Sequence, residues 1–591
     1  MKKYTPPTKF VIVLIIIFIP LLFLTGYNNR KRNIKSLKGL NYENINKNNN
    51  LADKLLADMT LREKIGQMII SSTQGENYQE SSAEYRRLKK LCRDSKVGGF
   101  IFFKGTSSGY ASLSNKLQSL SETPLLISAD FERGTGMRVT DGTLFPNNMA
   151  VGAANNYELA YKMGFCIANE SRALGVQQNY APVCDVNNNP DNPIINVRSF
   201  GEDPALVSKM SEAVIKGLQD GNVIATAKHF PGHGDTKIDS HNDLPVLNFS
   251  MDRLNKIELV PFKNAIQNNV KSVMIAHLSF PELEYKPNVP ASLSENIVQD
   301  LLINQLGFKG LVVTDALNMK GITKYFSTSE VALMCVKAGI DLILMPIDEE
   351  ETINAIESAV KNGKISEERI NRSVKKILAA KEWLGLFDNR YVNESEVSKK
   401  VNTQESNALA QQIADESITL VKDNRNILPL KSKNGKTLLI NLSDGNNNIN
   451  AGYFSEQMKY TNANTDEVNY FSEISSNELN GLISKADQYD VVIAAIYAKV
   501  RYGTGKISML PSQVQLLNSL NSTGNKLIVI SFGNPYLLKE FPEINNYICA
   551  YGDADVSVKA AIKAIYGDIT FKGKLPVSID ENNKVGKGLV K

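Results

Sequence analysis

The chain predicts an α/β fold, a TIM-type (β/α)8-like barrel followed by a second α/β domain, and three observations predict it. Short apolar runs recur at 97–103, 125–128, 181–186, 223–227, 273–277, 311–314 and 342–345. Helical patterns separate most of them, as expected of strands that crossover helices bury on both faces. Sustained to residue 345, this alternation is that of a parallel barrel, whose chemistry stands at strand C-terminal ends. Apolar runs resume at 438–442, 491–495, 527–532 and 548–550 after a polar stretch, which makes a second sheet.

With 591 residues the chain is too long for one core. It divides into an N-terminal signal peptide or signal anchor (1–27), a polar tether (28–50), the barrel (51–387), a linker (388–407) and the second domain (408–591). Hydrophobic residues make up 42% and charged residues 22%, the composition of a globular protein. The net charge is only +5, with no basic stripe or aromatic interleaving, so nucleic acid is not an expected partner. Cys92, Cys166, Cys184, Cys335 and Cys549 are odd in number and widely spaced, and read as small buried side chains rather than a disulfide framework.

Residues 10–24 form an unbroken apolar run behind Lys2, Lys3 and Lys9. As a helix it reaches about 22 Å, short of a hydrocarbon core of roughly 30 Å, so it reads as a Sec-type signal or anchor. Leu24-Thr25-Gly26-Tyr27 has the shape of a lipoprotein signal, but Tyr27 stands where the lipidated cysteine would be. An uncleaved anchor is the preferred reading, although Arg30, Lys31, Arg32 and Lys35 weaken the charge asymmetry that sets orientation. The expectation is an extracytoplasmic bacterial protein, anchored to the membrane or secreted.

Along the barrel, Thr60-Leu61-Arg62-Glu63 is a capping box that opens a helix with Ile65, Met68 and Ile69 on one side. Asp130 and Glu132 follow the 125–128 run, where turn-capping residues are equally expected. Arg198 follows Asn196-Val197, either in a surface salt bridge or as a bidentate partner for Asp130. Asp315 directly follows the β-branched run 311–314, as a helix N-cap or as an active-site carboxylate. Ile370, Val374, Ile377 and Leu378 mark one face of the helix that closes the domain near residue 387, and Trp383, the only tryptophan, falls in that helix.

The densest signal is Lys228-His229-Phe230-Pro231-Gly232-His233-Gly234, followed by Asp239-Ser240-His241, which holds three of the four histidines. The motif is expected to begin where the strand before residue 228 ends and a glycine-bearing loop takes over. The His spacing fits neither a helical zinc pair nor a Cys/His finger, so no metal is expected. In an extended segment Asp239 and His241 project to one side, where the carboxylate fixes the imidazole and stabilises its protonated form. A turn-capping aspartate beside a solvated histidine is the competing reading.

The whole string resembles the signature of β-N-acetylglucosaminidases of glycoside hydrolase family 3, which are retaining glycosidases on a (β/α)8-type barrel. The resemblance extends from the opening at 58–68 to Gly573-Lys574-Leu575-Pro576, which is similar to the end of the family's second, α/β/α sandwich domain. It implies that Asp315 is the nucleophile and that His241 and Asp239 form the acid/base dyad. It implies that Asp130, Arg198, Lys228 and His229 bind the sugar and that His277 supports them, with no cofactor required. The implied substrate is a terminal β-linked N-acetylglucosamine on cell-wall fragments. Two-domain β-glucosidases of the family carry a glutamate acid/base in the second domain, whereas 491–511 here contains no Asp or Glu. Phosphorolysis to a sugar 1-phosphate, a glucosidase or xylosidase activity, and a wall-sugar sensor without catalysis are the alternatives.

Overall fold

The computed structural model describes residues 50–240, 242–445, 449–500 and 507–591. The apolar segment 1–27, nearly all of the tether and His241 therefore lie outside the described residues. Among the described residues no helix is long and apolar enough to cross a membrane.

Eight parallel strands form the first sheet: β1 Ile69–Gly75, β2 Gly99–Gly105, β3 Leu126–Ala129, β4 Gln178–Asn179, β5 Ile224–Phe230, β6 Ser272–Ile275, β7 Leu311–Thr314 and β8 Ile343–Leu344. They pair in sequence order, β8 returns to β1, and a Val313–Leu342 bridge joins the remaining edge, so the sheet closes as a barrel. The capping box is present at Thr60, but its helix stops at Gln67 and Ile69 opens β1. The apolar run 97–103 is thus the second strand of the barrel, not the first. β4 lies upstream of the expected 181–186, which continues as an extended run bridged to β5 through Val183 and Lys228. β5 also corrects an expectation: it runs on to Phe230, so Lys228 and His229 stand on a buried strand and the loop begins after them. The helix Glu367–Trp383 buries Ile370, Val374, Ile377 and Leu378 as its periodicity requires.

The second sheet has β9 Thr419–Asp423, β10 Thr437–Ser443, β11 Thr465–Tyr470, β12 Val491–Tyr497, β13 Leu527–Ser531 and β14 Asn546–Cys549, in the order β11-β10-β12-β13-β14-β9. All pairs are parallel except β14 with β9. Alternate strand residues feed two cores, as a sheet covered on both faces requires. Leu439, Ile493 and Ile528 enter one, and Leu438, Val492 and Val529 enter the other. The second core also takes in Met149, Ala150, Ala153 and Val197 from the barrel domain. Polar contacts reinforce that junction: Asn187 Nδ2 donates to Tyr536 Oη at 2.9 Å, and the Ser578 amide and hydroxyl donate to Glu202 at 2.8 and 2.6 Å. All five cysteines are free and four are buried.

Candidate active site

A cavity of about 330 Å³ opens where the C-terminal ends of the barrel strands converge. Its walls include Asp130, Glu132, Arg138, Arg198, Lys228, His229, His233, Ser240 and Asp315, with Ile194, Ile195, Met319 and Leu344 among the apolar surfaces. Five of the expected site residues, Asp130, Arg198, Lys228, His229 and Asp315, thus meet in one place. Asp239 is buried in the loop leading to it.

Each polar group stands where its strand ends. Asp130 and Glu132 follow β3, with the turn fixed by the Phe131 amide donating to Asn179 Oδ1 at 2.9 Å. Lys228 and His229 are consecutive, and a regular strand would send them to opposite faces. The pairing of β5 with β6 shifts register between Ala227 and Phe230, an irregularity of the kind that re-aims side chains at barrel rims. Both residues consequently line the cavity.

A chain of alternating charges crosses the cavity wall. Arg138 Nη2 lies 3.2 Å from Asp130 Oδ2, and Lys228 Nζ lies 3.0 Å from Asp130 Oδ1 and 2.8 Å from Glu132 Oε1. Arg198 then grips Glu132 with Nη2 at 2.8 Å and Nε at 3.1 Å. The arginine is neither a surface salt bridge nor the partner of Asp130: its fork closes on Glu132, a residue the sequence singled out without assigning it a role. Burial pushes the Glu132 carboxyl up, but the charges of Arg198 and Lys228 and their hydrogen bonds outweigh that and hold it well below the usual carboxylate range. For Lys228 burial acts downward, and Asp130 and Glu132 overcome it, so the ammonium persists. Three cations face three carboxylates once Asp315 is included, a balance suited to an uncharged ligand rich in hydroxyls.

Asp185, inside the apolar run 181–186, is a site residue that the sequence did not single out. It is fully buried. Its Oδ2 is 2.7 Å from His229 Nδ1, and its Oδ1 accepts the backbone amides of His229 at 3.2 Å and His233 at 2.7 Å. The His229 ring is therefore oriented with Nε2 toward Arg198 Nη2, 3.5 Å away. Desolvation opposes the Asp185 charge, and His229 and the His233 contacts more than compensate, so its carboxyl stays below the ordinary value.

For Asp315 the helix-cap reading does not hold. The next helix, Lys320–Thr323, has Met319 at its N-cap, so Asp315 does not cap it. Its amide donates to Ile275 O at 3.0 Å, and its Oδ1 accepts the Ala316 amide at 2.8 Å. His277 is buried beside it, with Nε2 donating to Ala316 O at 3.0 Å and Nδ1 at 2.8 Å from Ser292 Oγ. This ring steadies the turn that carries Asp315.

His233 is buried between two hydroxyls, with Nδ1 3.2 Å from Thr236 Oγ1 and Nε2 3.0 Å from Ser240 Oγ. Burial and the neighbouring His229 push its pKa down to about 4. Between that value and the ordinary value near 6.5 the unfolded chain binds a proton that the folded chain refuses, so stability rises with pH across this window. Acidification from neutrality to about pH 4 is expected to cost about 3 kcal/mol through this ring. Urea titrations across the window check this. The His233→Gln variant should show a shallower slope than the wild type, and equal slopes would contradict the assignment.

The barrel and the charge-balanced pocket together define a (β/α)8 enzyme with a small polar cavity at its C-terminal mouth. The chain belongs to glycosyl hydrolase family 3, whose N-terminal domain model matches residues 60–380 and whose C-terminal domain model matches residues 418–587. A beta-N-acetylglucosaminidase/beta-glucosidase of Cellulomonas fimi is 29% identical over 542 residues, which are 88% of this chain and 94% of that protein. Among solved structures, the family 3 beta-N-acetylglucosaminidase of Paenibacillus sp. str. FPU-7 superposes with a TM-score of 0.76 at 32% identity, covering 88% of this chain and 99% of that one. A beta-glucoside phosphorylase gives a TM-score of 0.81 at 26% identity over 91% of this chain and 97% of the other. The protein is thus a glycoside hydrolase of this family.

Proposed function

We propose that the protein is a retaining exo-β-N-acetylglucosaminidase that removes terminal β-linked N-acetylglucosamine from cell-wall fragments. One observation carries the proposal: the segment holding Asp239 and Ser240 closes on the same cavity that Lys228, His229 and Asp315 line. The names of the Cellulomonas and Paenibacillus proteins support the choice of sugar. The cavity volume is at the low end of ligand pockets, which suits one terminal unit better than a chain passing through. Extracytoplasmic location and membrane anchoring are part of the proposal and rest on the apolar run 10–24.

In the first step Asp315 attacks the anomeric carbon and the bond to the leaving oxygen breaks. His241, paired with Asp239, gives that oxygen its proton. In the second step neutral His241 takes a proton from water, whose oxygen displaces the Asp315 carboxylate, and the sugar leaves with retained configuration. Lys228 and Arg198 donate hydrogen bonds to the bound sugar and Asp130 accepts them, while His229, held by Asp185 through Nδ1, presents Nε2 beside Arg198 at the same wall.

Phosphorolysis is the second reading, favoured by the likeness to the beta-glucoside phosphorylase and by an acid/base that is uncharged when it must receive the second nucleophile. Initial rates of the full-length protein on aryl β-N-acetylglucosaminide and aryl β-glucoside, with and without phosphate, test both readings. Preference for the acetamido sugar with free sugar as product supports the first. Sugar 1-phosphate as the main product in phosphate replaces it with the second, and preference for the glucoside overturns the substrate assignment.

A further inference from the structure

No helix or strand spans residues 231–240, so side chains must shape the loop that leads from the sugar-binding strand to Asp239. Two anchors hold its outer side: Arg253 Nη2 lies 2.6 Å from Asp235 Oδ2, and Lys324 Nζ lies 3.0 Å from Asp243 Oδ2 just past the loop. The inner side is different in kind. His233, with only 2% of its surface exposed, spans the loop from within, touching Thr236 Oγ1 through Nδ1 and Ser240 Oγ through Nε2 at 3.2 and 3.0 Å. Its backbone is fixed at both ends, since its amide donates to Asp185 Oδ1 at 2.7 Å and its carbonyl accepts Asn192 Nδ2 at 2.9 Å. Gly234 lets the loop approach this closely, for a Cβ there would lie 1.7 Å from Val186 O.

Ser240 is the residue between Asp239 and His241, and it lines the cavity. We infer that His233 is a positioning residue: its imidazole latches Ser240 and so sets where the neighbouring Asp239 stands relative to Asp315. A neutral ring suits this task because it carries one donor and one acceptor, so one hydroxyl can give and the other receive. The same Asp185 carboxylate that orients His229 also anchors His233, which ties the sugar-binding strand and the acid/base loop to one buried point. The inference rests on the reading of Asp239 and His241 as the acid/base pair.

The test compares His233→Leu, Ser240→Ala and His233→Gln with the wild type and with His241→Ala. The substrates are a dinitrophenyl β-N-acetylglucosaminide, whose leaving group needs no proton, and an alkyl β-N-acetylglucosaminide, which does. A displaced acid should cost the alkyl substrate about tenfold or more in kcat/KM and the dinitrophenyl substrate less than about threefold. It should also slow deglycosylation, so that azide raises kcat and yields the β-glycosyl azide. His233→Gln keeps a group able to meet Ser240 and should restore most of the alkyl rate. If His241→Ala lacks the leaving-group signature, the acid/base reading falls and this inference falls with it. If His241→Ala shows it but His233→Leu and Ser240→Ala slow both substrates equally or neither, the latch alone is refuted. A signature confined to Ser240→Ala means that serine meets the substrate itself, which also refutes the latch. Should His233→Leu fail to fold, His233→Asn, whose shorter amide cannot reach from Thr236 to Ser240, takes its place: the signature in both His233→Asn and Ser240→Ala supports the latch, and its absence from either overturns it.

Discussion

Asp315→Ala is expected to reduce kcat on aryl β-N-acetylglucosaminide by roughly 10⁴-fold or more, the scale on which a covalent nucleophile is lost. The thermal transition should stay close to that of the wild type, because Asp315 is partly exposed and its Oδ1 bond to Ala316 is local. Azide separates this variant from a damaged dyad. With the carboxylate gone, azide enters from the face Asp315 occupied and gives the α-glycosyl azide. With His241 gone, it attacks the glycosyl-enzyme and gives the β-anomer. Near-normal turnover in Asp315→Ala, or a β-azide from it, would remove Asp315 from the nucleophile position.

Glu132→Ala is expected to cause the largest loss of stability of any single change in the pocket. It takes the shared carboxylate from Lys228 and Arg198, which lie 2.8 Å from the same oxygen and have few routes to water. Leaving buried cations without their partner costs about 3–5 kcal/mol, and sugar binding should weaken because both donors lose their geometry. Asp130→Ala should cost less in stability, since Asp130 is more exposed than Glu132 and Arg138 can turn to solvent. Chemical denaturation of the two variants checks the order, and a larger loss in Asp130→Ala would reverse it. The sign with pH follows from the lowered Glu132 carboxyl: its contribution is complete above the unfolded value near 4.3 and fades as pH falls through the folded one.

Most of the barrel was legible because a strand covered on both faces must be mainly apolar, and the buried stretches of β2, β3, β6 and β7 are. β1 was hidden because Ile69-Ile70 is followed by Ser-Ser-Thr-Gln-Gly, whose polarity is tolerated at a strand end entering the mouth. β11 was hidden for another reason: Thr-Asp-Glu-Val-Asn-Tyr lies at the edge of its sheet with most residues part-exposed. In the site, the Lys228 to Ser240 string was readable because it is contiguous. Asp185, Arg138 and the Glu132 pairing were not, since each acts across strands. Asp185, near the end of the apolar run 181–186, shows nothing of its histidine partner until β5 is laid beside it. The length of β5 itself was misjudged because Lys228 and His229 look like loop residues, and only their ion pairs and the Asp185 contact make them tolerable inside.

Val197 stands one residue before the arginine that grips Glu132, yet its side chain belongs to the core of the second domain. Asn148 ties the two together by donating to Arg198 O at 2.8 Å, while Asn147 donates to Tyr551 O across the junction at 2.6 Å. The boundary drawn by strand topology therefore does not coincide with the boundary drawn by the pocket. Severed at the linker, the barrel would keep every residue that lines the cavity and lose the footing of one of them. The chain has two folds that share one core, and the arginine of the pocket has its footing in the second.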